Sequence, residues 1–125
     1  MDIKTQQLLD RTFSFGVSIL IFLSKLKYSD VLNVPKKQLA KSCTSIGANY
    51  EESQAAESKK DFIHKIGIVC KEARESHYWI RVLIAVYKDE KIKSQLELFE
   101  KESFELKKIF IAIKLSSEGK GNKNG

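Results

Sequence analysis

The side chains able to do chemistry in this chain gather in two stretches. Ser42, Ser45, Asn49 and Glu52 recur every three or four residues, so they share one face if the segment is helical. Glu72 and Glu75 lie three apart and share a face of a second segment. Carboxylates beside histidines are the material of a di-metal centre, which in a helical bundle needs inward-facing Glu-x-x-His motifs. That motif does not occur: His77 follows Glu75 at a spacing of two, and His64 and His77 stand thirteen residues apart. No glycine-rich phosphate loop is present, and the run Ser42, Cys43, Thr44, Ser45 has no adjacent base to activate a nucleophile. The residues therefore predict no catalytic group, no metal site and no cofactor.

A second use of the same residues is structural. If the two segments pair antiparallel about a turn near Ser58, Ser42 and Ser45 approach residues 70–74. A hydrogen-bonded network of Ser42, Ser45, Asn49, Glu52, Glu72 and Glu75 would then set helix register. The alternative is that the carboxylates face water.

Charge is unevenly spread. The chain carries 22 basic and 16 acidic residues, a net charge of +6. Residues 58–88 hold seven basic and three acidic groups, whereas residues 89–118 hold six and seven. Lys60, Arg74, Arg81 and Lys88 repeat in multiples of seven, so on a helix they fall within about 80° of one another and extend for roughly 40 Å. Such a stripe suits a phosphate backbone, of RNA or DNA. It would equally suit pairing with acidic groups of the fourth helix or of a neighbouring subunit, such as Glu97, Glu102 and Glu105.

Long helices must position these groups. A single proline, Pro35, and six glycines leave little to punctuate strands. Residues 3–28 form a first helix whose stretch from Val17 to Leu23 is apolar almost all round, more than one core-facing stripe requires. The surplus predicts a second buried face against another subunit. Residues 29–34 read as a loop, with Pro35 opening a second helix that runs to about residue 56. Its core stripe is Leu39, Cys43, Ile46, Tyr50 and Ser53, and its small residues, Gly47 among them, allow close backbone approach. Ser58 and Asp61 resemble a capping box ahead of a third helix reaching about residue 87. There Phe62, Ile66, Val69, Ala73, Ser76, Ile80, Leu83 and Tyr87 alternate at four and three, the seam of a left-handed bundle. Asp89 caps a fourth helix to about residue 115, with the seam Ile92, Leu96, Phe99, Ser103, Leu106, Phe110, Ile113 and a flanking stripe of Leu98, Phe104, Ile111 and Leu115. Gly119 is expected to end it, leaving residues 119–125 as a disordered tail.

The expected fold is all-α: residues 1–118 form an antiparallel up-down-up-down four-helix bundle. The continuous apolar run in the first helix covers eleven residues, about half a bilayer core, and no basic leader precedes it, so neither a membrane span nor a signal peptide is expected. Cys43 and Cys70 match neither a zinc nor a redox spacing and read as buried thiols of a cytoplasmic protein.

Three motifs resemble those of the bacterial four-helix-bundle proteins also called 23S ribosomal RNA intervening-sequence proteins. The first is Gln38, Leu39, Ser42, Ser45, Ile46, Ala48, Asn49 and Glu52. The second is Ser58, Asp61 and Phe62. The third is Lys71, Glu72, Ala73, Glu75, Tyr78 and Trp79, with Ile80 where leucine is usual. The resemblance implies an antiparallel bundle assembling as a homopentameric ring. A related branch, the accessory variability proteins of diversity-generating retroelements, partners a reverse transcriptase and has a basic surface. The resemblance offers no catalytic residues to carry over. The expected function is a non-enzymatic, oligomeric bundle protein that binds RNA or a nucleoprotein through its basic surface. One alternative is a protein-interaction scaffold without nucleic acid. Another, weaker, is an enzyme using Glu72 and Glu75.

Overall fold

The computed structural model describes residues 2–123. They form four helices: α1 (Ile3–Ser24), α2 (Asp30–Ser53), α3 (Lys59–Val86) and α4 (Glu90–Lys123). Consecutive helices pack side by side, and α4 returns beside α1 to close an antiparallel four-helix bundle.

Helix starts follow side-chain capping. Asp2 accepts from the Lys4 backbone N–H, Ser29 from Leu32, and Ser58 from Asp61. Asp61 answers with its own carboxylate, accepting from the N–H of Glu57 rather than Ser58, so the capping box is displaced by one residue. Asp89 Oδ1 accepts from the N–H groups of both Lys91 and Ile92 at the start of α4. Each satisfies donors that a helix start leaves without a partner.

Three boundaries depart from expectation. The connector between the first two helices lies at residues 25–29, because Ser29 caps α2 six residues ahead of Pro35. Pro35 therefore sits inside α2. Its missing N–H leaves the Val31 carbonyl without a helical partner, but Val31 is exposed and water can reach it. The Lys36 ammonium, itself buried, donates to the Lys27 carbonyl and pins this connector. The second departure is Lys88. The chain turns extended at Tyr87, so Lys88 lies beyond the end of α3 rather than on its surface line. The third is Gly119, which does not stop α4: the helix continues to Lys123. Asn124 and Gly125, the remainder of the expected disordered tail, lie outside the described residues.

The core is the set of stripes read from the sequence. Ile66, Val69, Ala73, Ser76, Ile80 and Leu83 of α3 are buried against Leu39, Cys43, Ile46 and Tyr50 of α2 and Leu96, Leu106 and Phe110 of α4. From α1 come Leu9, Phe15 and Ile19. Tyr50 and Phe110 meet edge to face with ring centroids 5.0 Å apart, and Phe22 meets Phe99 in the same way at 5.4 Å.

The helix spacing is uneven. A Cβ added to Gly16 would stand 3.3 Å from the Cys43 carbonyl oxygen and 3.4 Å from the Thr44 Cα, and one on Gly47 would stand 3.4 Å from the Thr12 backbone. Glycine at both positions lets α1 and α2 touch backbone to backbone. On its other side α1 meets α4 at few points. A groove of about 610 Å³ runs between them, lined by Leu8, Arg11, Tyr50, Ile109 and Ile113. It is bridged by Arg11, whose guanidinium donates twice to the Glu102 carboxylate at 2.7 Å.

At 22 residues, with an 18-residue window of mean hydropathy 1.2, α1 is long and apolar enough to cross a bilayer, which a count of its uninterrupted apolar run alone understates. One side of it is packed on α2, through Thr12, Gly16 and Ile19.

Candidate nucleic-acid interface

The polar residues of α2 and α3 divide. Ser76 Oγ donates to Ser42 Oγ at 3.0 Å in the core, and Ser42 donates onward to the Leu39 carbonyl. This pair places Ser42 opposite a residue two positions further along α3 than residue 74, the partner that pairing about Ser58 would give it. Ser45 and Asn49 instead bond within their own helix, to the carbonyls of Lys41 and Ser45. Serine and asparagine inside a helix readily turn back onto the preceding turn. Glu52 is exposed, and Glu72 and Glu75 are half-buried. None of the three carboxylates takes a hydrogen bond among the described residues, so the six-membered network reduces to Ser42 and its unanticipated partner Ser76. Ser76 lies in the α3 seam, whose spacing marks burial and carries no sign of a hydrogen bond.

Burial, and then the Glu75 charge, push the Glu72 carboxyl above its usual range, against the opposing pull of Lys71 and Lys41. The sign follows directly. A carboxyl whose folded pKa is raised favours the fold while protonated and opposes it once ionised, so its contribution is lost as pH rises through the folded pKa. Because water screens a carboxyl this exposed, Glu72→Gln is expected to raise the melting temperature only slightly at pH 7, by about a degree or two at most. The gain should vanish near pH 4, where the wild-type carboxyl is protonated as well. Parallel melts at the two pH values read this, and a lower melting temperature for the variant at pH 7 refutes it.

Cys43 and Cys70 are free thiols facing the interior. Burial pushes Cys43 up to about 12, so it carries no thiolate at neutral pH and offers no nucleophile. Among the described residues no three His, Cys, Asp or Glu side chains group as metal ligands.

The basic residues remain. Lys60, Arg74 and Arg81 are exposed along α3, and Lys88 is exposed just beyond it. No salt bridge among the described residues involves any of the four. Their expected acidic partners are otherwise engaged or elsewhere: Glu102 holds Arg11, Glu105 lies 3.2 Å from Lys108, and Glu97 takes part in no salt bridge. No carboxylate of α4 among the described residues lies within salt-bridge distance of these four cations.

The surface beside the stripe holds residues that sequence reading missed. Phe104 of α4, which the heptad pattern places on a flanking stripe, is 41% exposed. His77 of α3 stacks on it with centroids 5.9 Å apart and an interplanar angle of 28°. The ammonium groups of Lys107 and Lys108 lie over the same ring, at 5.1 and 5.0 Å from its centroid. The spacing of Lys107 and Lys108 from Phe104, three and four residues, was the available signal.

The chain is thus an antiparallel four-helix bundle with exposed cations along α3. The chain belongs to the 23S rRNA-intervening sequence protein family, which matches residues 4–112. A solved structure from Bacteroides thetaiotaomicron, described as a protein of unknown function from the S23 ribosomal protein family, is similar at 34% identity. The likeness covers 89% of this chain and 97% of that one, with a TM-score of 0.74. No curated protein matches the chain.

Proposed function

We propose that this chain is a non-enzymatic, cytoplasmic, self-assembling bundle that binds nucleic acid through the basic face of α3. The observation that carries the reading is the line of exposed cations Lys60, Arg74 and Arg81, none held by a carboxylate. Unpaired cations along one rigid helix suit a polyanion such as a phosphate backbone, and binding there releases condensed counterions. The same kind of surface is implied by the resemblance to the accessory variability proteins, a kinship that belongs to this reading.

Titration of a labelled oligonucleotide by anisotropy, repeated across salt concentrations, tests it. Three neutralised phosphates give a slope of about −2 to −3 in log affinity against log salt. Arg74→Glu combined with Arg81→Glu is expected to weaken binding at least ~50-fold at 0.1 M salt, since each lost phosphate contact costs roughly a factor of eight there. Wild-type protein that fails to bind at low salt ends the proposal.

Assembly rests on a separate observation. Phe13, Val17, Leu20 and Ile21 of α1 are exposed, at 70%, 38%, 41% and 51%. Phe13, Val17 and Leu20 line a groove of about 420 Å³ together with Gly16, Thr44, Gly47 and Ala48. Knob and socket on one face suit a neighbouring copy of the chain, and the ring of five implied by the resemblance would give each copy such a neighbour. The expected light-scattering mass is about five times the 14.3 kDa chain. Monomeric mass, or capture of the protein by neutral lipid vesicles through this face, would count against it.

A further inference from the structure

We infer that the α3–α4 seam carries a stacking platform for an unpaired nucleobase, with Phe104 as the platform and Lys107, Lys108 and Arg81 as the cations that meet the flanking phosphates. The inference rests on the reading that this side of the molecule meets nucleic acid, and names the form of nucleic acid it takes.

A phenylalanine exposed in mid-helix and surrounded by cations is poorly placed to serve the core, whose α4 seam is complete without it in Leu96, Phe99, Leu106 and Phe110. What surrounds Phe104 suits a flat ligand. His77 backs the ring in near-parallel contact. Burial, then the Lys107 charge, with Arg81 adding to it, lower the His77 pKa against the opposing pull of Glu100. The imidazole is therefore neutral at pH 7 and acts as a second aromatic plate. Lys107 and Lys108 hold their ammonium groups over the ring on flexible four-carbon stems. A base arriving on Phe104 displaces those tips outward, toward the phosphates on either side of it.

The carboxylates at the edge limit what charge can do here. Glu100 Oε2 stands 3.6 Å from His77 Nε2, and Glu105 pairs with Lys108 at the surface. A patch so diluted gains less from phosphates than the open line of α3 does, so ring stacking supplies its distinct contribution. Stacking on a protein side chain requires a base whose face is free. In a duplex both faces are covered by neighbouring bases, which selects a single strand.

The test measures binding of a single-stranded RNA, a single-stranded DNA of the same sequence, and their duplex forms. The proteins are the full-length wild type, Phe104→Ala, Phe104→Leu, Phe104→Tyr, and Arg74→Glu with Arg81→Glu. Expected are tighter binding of single strands than of duplex, and a loss of about 5- to 150-fold on single strands for Phe104→Ala. Phe104→Leu, which keeps bulk on the helix but has no ring, should lose as much, while Phe104→Tyr should retain binding. Fluorescence of a 2-aminopurine placed in the strand should be quenched by wild type and by Phe104→Tyr alone. A preference for RNA or for DNA supports the platform and identifies which sugar it favours. Unchanged single-strand affinity in Phe104→Leu, with weakened binding in the arginine double variant, overturns the platform and leaves the basic-face reading standing. Duplex preference also overturns it. Absence of binding by wild type overturns both.

Discussion

Phe110→Ala is expected to lower the stability of the bundle by about 3–5 kcal/mol, the range for a buried phenylalanine replaced by alanine. Phe110 is fully buried and touches Tyr50 edge to face, so it joins α4 to α2 across the centre of the molecule. Truncation removes the transfer free energy of the ring and leaves a cavity that rigid neighbouring helices close only in part. Against a total of about 5–15 kcal/mol for a domain of ordinary stability, this is a large fraction. Urea denaturation followed by circular dichroism measures it, as a fall in midpoint with unchanged slope. Phe104→Ala, six residues earlier on the same helix but partly exposed, provides the contrast and should cost far less. A loss below about 1.5 kcal/mol for Phe110→Ala would mean that the centre of the bundle collapses to fill the space.

On the proposal that copies assemble through α1, replacing Phe13 and Leu20 together by glutamate is expected to give a monomer of 14.3 kDa with its helical content intact. Both side chains stand outside the core of the single chain, at 70% and 41% exposure, so charges there meet water once the copies separate. Within an assembled interface the same carboxylates would be stripped of water without a partner, at a cost of about 2 kcal/mol or more each. Two of them weaken each contact by roughly a thousandfold, since 1.4 kcal/mol is a factor of ten. Light scattering behind size exclusion reads the mass directly. An unchanged oligomer would place the contact on another face, such as that of Leu98 and Leu115 on α4.

How much of this was legible in the sequence depended on the range of the interaction involved. The alternating seams of α3 and α4 predict burial well, because a helix repeats its inner face every three or four residues whatever packs against it. Ser58 and Asp89 announce helix starts for an equally local reason, and both cap as expected. Ser29 was passed over because Pro35 offered a competing start, and the capping hydroxyl prevailed over the proline's preference for the first turn. The contacts between helices were harder. Arg11 and Glu102 are separated by 91 residues and meet only because α4 returns beside α1. Ser42 and Ser76 depend on a two-residue difference in register that the hydrophobic pattern leaves open. The platform of His77 and Phe104 joins two helices whose relative rotation no single stripe specifies. Asn49 and Ser45 were misjudged for a different reason. Their side chains have a bonding partner within reach on their own helix, and that option carries no mark in the spacing.

The lopsided attachment of α1 bears on how the chain comes to be folded. Its glycine-lined contact with α2 is intimate, yet on the side of α4 it is separated by a groove and held by the Arg11 clamp and the Phe22–Phe99 contact. Helices α2, α3 and α4 meet in sequence through short connections and can consolidate as a local unit, with little loop closure to overcome. The clasp of α1 to α4 is the long-range step. Of these four helices the first to be synthesised is thus the last to be locked in from both sides, and until then its oily outer face is the part of the bundle most in need of company.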